Sequence, residues 1–302
     1  MKFKQILFAT ALLTGLLAIP AAQASAADSS TDPDATLPSY PTAKQWANIK
    51  KGYPDIWSKI NYYKTSRPVS VTIKFSDMND TKTVHQKVVR IPKGTTVIGK
   101  KFKMNWSKTN VKSYFQFEFD TLSYALLKPA LSKNFAAPRQ WTTVGAKKMA
   151  SINKYFVKVH RPAYMPAYSS GDLNKFPGDK VKFSPWNAST DQVRITPDGY
   201  VEFTKINSGQ DSYRLFNLMP VSAAKIHKVR VKNNTRYLYY SHHIKGVGDR
   251  QVAKTGSTKY RLAVKNLHKP FTMFDGDQGD FIMSKYQLGN TVYYTQSGGY
   301  SA

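Results

Sequence analysis

Alternation between apolar and polar residues is what most restricts the fold of this chain. In Val69-Ser70-Val71-Thr72-Ile73-Lys74-Phe75 every second side chain is apolar, a period of two that suits a strand with one buried face. Shorter alternations recur at Tyr114 to Phe119, Phe156 to Val159, Val181 to Phe183, Val193 to Ile195, Tyr200 to Phe203, Val229 to Val231, Tyr260 to Val264 and Phe281 to Met283, so the body is predicted to be β-rich. Helical spacing is confined to two places. Trp46, Ile49, Tyr53, Ile56, Trp57 and Ile60 fall three or four apart, interrupted at Gly52 and Pro54, and Tyr124-Ala125-Leu126-Leu127 runs up to Pro129. The fold class expected is mainly β: tandem small β-barrel or sandwich units with a short helical N-terminal region.

Residues 1–26 have the three parts of a secretory leader: Lys2 and Lys4, an apolar run from Ile6 to Ile19, and small residues at Ala22-Gln23-Ala24 or Ala24-Ser25-Ala26. The run is short for a retained anchor. Residues 27–41, rich in Ser, Thr, Asp and Pro, read as a flexible linker. There follow an N-terminal β-rich domain with short helices over 42–150 and two β units over 151–225 and 226–302. No later stretch is long enough to span a bilayer, so the mature chain is expected to be secreted, without a transmembrane span, and to lie at the cell wall or cell surface. It has no cysteine, and an exported fold without disulfides rests on core packing alone. The closing Gly298-Gly299-Tyr300-Ser301-Ala302 lacks the apolar tail and basic stop of a covalent wall anchor, so retention is expected to be non-covalent.

Lys and Arg number 45 against 18 Asp and Glu, a net charge of +27, which attracts polyanions and keeps copies of the chain apart. The only glutamates are Glu118 and Glu202, a poor supply for paired-carboxylate hydrolysis. There is no G-x-S-x-G elbow and no thiol; Ser151-Ile152-Asn153-Lys154 and Ser222-Ala223-Ala224-Lys225 match S-x-x-K, but without the S-D-N and K-T-G companions. No enzyme is expected, and no catalytic residue. His242-His243 lacks a third ligand at metal spacing and reads as a solvated loop. In Asp275-Gly276-Asp277-Gln278-Gly279-Asp280 a calcium loop is broken by Gly279 and by Tyr286 at the twelfth position, which favours a plain hairpin turn. No cofactor or metal is expected. Basic patches among aromatics also suit single-stranded nucleic acid, but the leader argues against that as a native task.

Three glycine turns, Lys93-Gly94-Thr95-Thr96-Val97, Pro177-Gly178-Asp179-Lys180-Val181 and Thr255-Gly256-Ser257-Thr258-Lys259-Tyr260, follow basic strands and precede aromatic ones at Phe117, Tyr200 and Phe281. The two later units share more: Val157-Lys158-Val159 with Tyr164 and Tyr168, and Val229-Arg230-Val231 with Tyr237, Tyr239 and Tyr240. This run of basic strand, tyrosine loop, glycine turn and late aromatic strand resembles the wall-binding modules of Gram-positive surface proteins of the lactic-acid-bacterial type, namely SH3-like barrels and surface-layer-associated repeats. The resemblance covers residues 151–290 and implies attachment to wall polymers. Independently of it, ammonium and guanidinium groups pair with a charged backbone while phenol rings stack on sugars. The residues expected to bind are Lys158, Arg161, Tyr164 and Tyr168 in one unit and Arg230, Lys232, Arg236, Tyr237 and Tyr239 in the next. The expected partner is an anionic cell-wall polymer, teichoic or lipoteichoic acid, with surface-layer or host glycans as the alternative.

Overall fold

Thr42 starts the longer helix. Its hydroxyl accepts the Gln45 N–H at 3.3 Å while the Gln45 side chain accepts the Thr42 N–H at 2.8 Å, a reciprocal cap over Ala43–Gly52. Lys50 and Lys51 occupy the last turn, where they suit the negative end of the helix, and the helix stops at Gly52 ahead of Pro54. In the same way Ser123 caps the short helix Tyr124–Leu127. The short helix lies where the spacing predicted it, whereas the longer one covers only Trp46 and Ile49 of the predicted run; Ile56, Trp57 and Ile60 fall beyond it, and Trp57 bridges to a strand instead. The computed structural model describes residues 40–57, 59–77, 84–105, 111–130, 135–138, 142–146, 154–169, 171–175, 191–205, 219–274 and 280–300. The leader, most of the linker, the strand at Val181 to Phe183, the turn at Gly178 and the segment 275–279 lie outside them.

The chain is mainly β. Its first strands are β1 (Tyr62–Thr65), β2 (Val69–Asp77), β3 (Val84–Ile91), β4 (Thr96–Asn105), β5 (Val111–Phe117), β6 (Phe135–Pro138), β7 (Thr142–Ala146) and β8 (Phe156–Val159). They form one antiparallel sheet in the order β7-β5-β4-β1-β8 and a smaller one, β3-β2-β6. The later strands are β9 (Asp172–Asn174), β10 (Gln192–Ile195), β11 (Tyr200–Thr204), β12 (Ser222–Lys225), β13 (Lys228–Lys232), β14 (Thr235–Tyr240), β15 (Arg250–Gln251), β16 (Tyr260–Asn266), β17 (Phe271–Phe274), β18 (Asp280–Leu288) and β19 (Thr291–Tyr300). They join into one large antiparallel sheet, β12-β11-β10-β9-β19-β18-β16-β14-β13, with β15 paired to β16 and β17 to β18, and this sheet curls into a half-barrel. Among the described residues no helix is long and apolar enough to cross a membrane.

The sheet containing β1 and β4 is the middle layer, and its register shows why. Tyr62 lies opposite Ile98 and Tyr63 opposite Val97. Because successive side chains point to opposite faces, Tyr62 and Ile98 enter the half-barrel core with Leu173, Val193, Leu238, Leu262, Tyr286 and Tyr293, while Tyr63 and Val97 enter a second core with Val71, Ile73, Ile91, Leu122 and Phe156. In that second core the Phe115 ring stacks on Phe156 at 4.1 Å and meets the edge of Tyr63 at 4.8 Å. These rings lie on one face of the middle sheet, and with no disulfide in the chain the layers are held by burial of that face against Val71, Ile73 and Ile91.

The segment before β1 pairs through its backbone with the end of β19. Trp57 bridges to Gly298, and the Gly299 N–H donates to the Ile56 carbonyl at 3.0 Å. A Cβ on Gly298 would sit 1.9 Å from that carbonyl oxygen, so only glycine allows the arm to close on the sheet. Nearby, the buried Lys285 runs its ammonium over the rings of Tyr40, Phe271 and Tyr294 at 5.2 to 5.6 Å.

Candidate polyanion-binding face

Residues directly opposite one another in an antiparallel pair share a face. The register Lys228↔Tyr239↔Arg261, Arg230↔Tyr237↔Ala263 and Lys232↔Thr235↔Lys265 therefore collects these side chains on one side of β13, β14 and β16, and Arg250 of β15 joins opposite Arg261. The alternate residues Leu238, Tyr240, Leu262 and Val264 are fully buried, which fixes this side as the outer one. Six cations and two tyrosines share the face, and β13, β14, β15 and β16 contain no carboxylate. Cations and rings alternate: the Arg261 guanidinium lies 5.1 Å from the Tyr237 ring centre and the Lys228 ammonium 5.7 Å from that of Tyr239. Along β13 the exposed Lys228, Arg230 and Lys232 are spaced about 7 Å apart, two residues of extended chain. Charge on the edge strand β13 also discourages pairing with another chain. Arg261 on the interior strand β16 has no edge to protect, so edge protection does not explain the whole face.

The structure brings Arg230, Lys232, Tyr237 and Tyr239 together, as the sequence predicted, and sends the other predicted residues elsewhere. Arg236 shares a row with the buried Leu238 and Tyr240 and points to the inner side of the sheet, where its Nε is buried. Burial lowers its pKa, and the nearby Arg161 guanidinium lowers it further. Lys158 is exposed on β8 opposite Tyr63, where its charge, after burial, helps lower the pKa of Lys101. Tyr164 is half-buried and donates its hydroxyl to the Pro197 carbonyl at 2.6 Å. Tyr168 is exposed, with φ of 57°, a conformation that costs a non-glycine residue and is retained where the surroundings hold it. Its ring lies 5.2 Å from Trp57, which stacks on Trp46 at 5.8 Å under the Lys50 ammonium.

The sequence reading missed Lys228, Arg250, Arg261 and Lys265 on the outer face. Their signal was available for Lys228, Arg261 and Lys265, which lie two residues from other outward positions on the same strands. Helical spacing is all that the sequence shows for Trp46 and Trp57, and nothing local pairs either with Tyr168. Gly94 and Gly256, two of the aligned turns, serve different connections: Gly94 carries the chain from β3 to β4, in separate sheets, whereas Gly256 lies between β15 and β16, which pair.

Other polar groups are organised by the fold. The buried Asp249 carboxylate accepts the Tyr240 hydroxyl at 2.9 Å and the Ile244 N–H at 3.0 Å, and lies 2.6 Å from Nδ1 of His243; His242 Nε2 lies 2.6 Å from the Ala223 carbonyl. Among the described residues no group of three or more His, Asp or Glu side chains gathers as metal ligands do. Ser222 and Lys225 occupy β12, where a three-residue spacing puts side chains on opposite faces. Asp198, in the turn between β10 and β11, accepts the Ser123 N–H at 2.9 Å and hydroxyl at 2.5 Å, and Glu202 accepts the Tyr124 N–H at 2.6 Å. These two carboxylates pin the short helix to the β10–β11 hairpin. Comparison with protein-family models, curated proteins and solved structures gives no match.

Proposed function

We propose that the protein is an exported, cationic surface protein that holds non-covalently to an anionic polymer of the cell wall, a teichoic or lipoteichoic acid. The observation that carries this reading is the outer face of β13, β14 and β16, with its six cations interleaved with Tyr237 and Tyr239 and no carboxylate in those strands. A flexible polyphosphate can lay successive charges along such a face while its sugar or polyol units meet the phenol rings. The +27 net charge steers the polymer in from a distance, and the leader-like residues 1–26 deliver the chain to where that polymer is. The resemblance of residues 151–290 to wall-binding modules of Gram-positive surface proteins points the same way. The protein does no chemistry on its partner in this reading.

A second reading, an adhesin for surface-layer or host glycans, is favoured by a different observation. Trp46, Trp57 and Tyr168 present a stack of partly exposed rings beside Lys50, a surface on which a sugar ring can lie. Salt separates the two. About 1 M salt shrinks the Debye length to roughly 3 Å and is expected to strip the protein from purified cell wall. Retention through that wash, with release by free sugar, would overturn the charge-held reading in favour of the glycan one.

A further inference from the structure

Beneath the outer face, on its opposite side, four donors act on one another: Tyr62, Arg161, Arg236 and Tyr286. Tyr62 is 3% exposed and its hydroxyl has no hydrogen-bond partner; the Arg236 Nε is likewise buried and unpartnered. The Arg161 guanidinium, two residues past the Val159 that pairs with Tyr62, acts electrostatically on Tyr62, Arg236 and Tyr286. Tyr286 accepts from the Asn266 side-chain amide at 3.3 Å and from the Ala167 backbone N–H, which leaves its own hydroxyl hydrogen to donate. Among the described residues no carboxylate pairs with either guanidinium. A buried guanidinium N–H and a buried phenol hydroxyl, both unpartnered, with the exposed Arg161 cation close enough to act on both, are a costly arrangement for an empty fold.

We infer that Arg161, Arg236, Tyr62 and Tyr286 bind a single oxyanion of the phosphate class. Guanidinium N–H groups and phenolic hydroxyls are donors only toward such a group, and the planar guanidinium suits two oxygens of one tetrahedral phosphate. Glu118 also acts electrostatically on Tyr62. The site is separate from the outer face and does not depend on the wall-polymer reading: it would capture one phosphate between an exposed and a partly buried guanidinium, where the face would hold many at the surface.

The test follows thermal unfolding of the full mature chain in inorganic phosphate at mildly acidic pH against chloride of equal ionic strength, with phosphorus NMR line broadening as the direct measure of binding. Phosphate is expected to raise the midpoint in proportion to the logarithm of its concentration once the site is saturating. Arg161→Gln, at an exposed position, and Tyr62→Phe, which removes only the hydroxyl, are each expected to weaken the apparent affinity about tenfold or more. Lys228→Gln/Arg230→Gln/Lys232→Gln on the outer face should keep the full effect. The inference is overturned if phosphate does no more than chloride, or if Arg161→Gln and Tyr62→Phe respond like the parent. A phosphate response that survives in a chain unable to bind cell wall would sink the proposed function and leave this site standing.

Discussion

Glu202 shows what the interior does to a single carboxyl group. Burial pushes its pKa up from 4.5 to about 7, with the Arg194 charge and the Tyr124 N–H pulling the other way. In the unfolded chain the group loses its proton near its ordinary value, while the folded protein keeps it until about neutrality. Between those two values the folded state binds more protons, so its stability falls as pH rises through the window. Glu202→Gln, which keeps an oxygen for the Tyr124 N–H, is expected to flatten that fall and to raise stability above neutral pH by up to about 3 kcal/mol. Urea midpoints across the window check this, and a variant with the parent's slope would contradict it. Asp198, shifted in the same direction by burial, leaves part of the slope in place. At this scale the binding residues were half legible. Arg230, Lys232, Tyr237 and Tyr239 could be read as outward from alternation, and the same parity, with Leu238 and Tyr240 at even positions, already placed Arg236 inside. The proximity of Arg236 to Arg161 and Tyr62 could not be read, because it joins two strands and a loop distant in sequence.

Among the elements, the face of β13, β14 and β16 carries the proposed polymer contact. Lys228→Gln/Arg230→Gln/Lys232→Gln removes three exposed charges from an edge strand whose inner residues are untouched. Wall binding at moderate salt is expected to weaken about a hundredfold, at roughly 1 kcal/mol for each cation facing an anionic surface, with the unfolding midpoint little changed. Binding equal to the parent's would remove this face from the account. Strands with a regular alternation announced themselves: β2, β10, β11, β13 and β16 all fall on alternations in the sequence. The strand β1 gave no such signal, since Tyr62 and Tyr63 are both buried, on opposite faces of a sheet covered on both sides. β19, with Thr, Gln, Ser and Gly among its residues, lacks the composition that marks a strand, and its place is fixed by pairing with β18 and by the arm that closes on Gly298.

For the whole molecule, charge was legible from a count, whereas architecture was not. Local period says nothing about which strands pair, and here β1 pairs with β8, and β9 with β19, across long stretches of chain. The consequence is a core that draws on residues from Tyr62 to Tyr293 and carries a dense cationic face on its outer surface. The central claim is that this surface is held by the phosphates of a wall polymer. Binding of residues 27–302 to purified cell wall, compared before and after chemical removal of its phosphate polymers, tests it most directly. The account predicts strong binding to the intact wall and little to the stripped wall at the same ionic strength; equal binding to the two would contradict it.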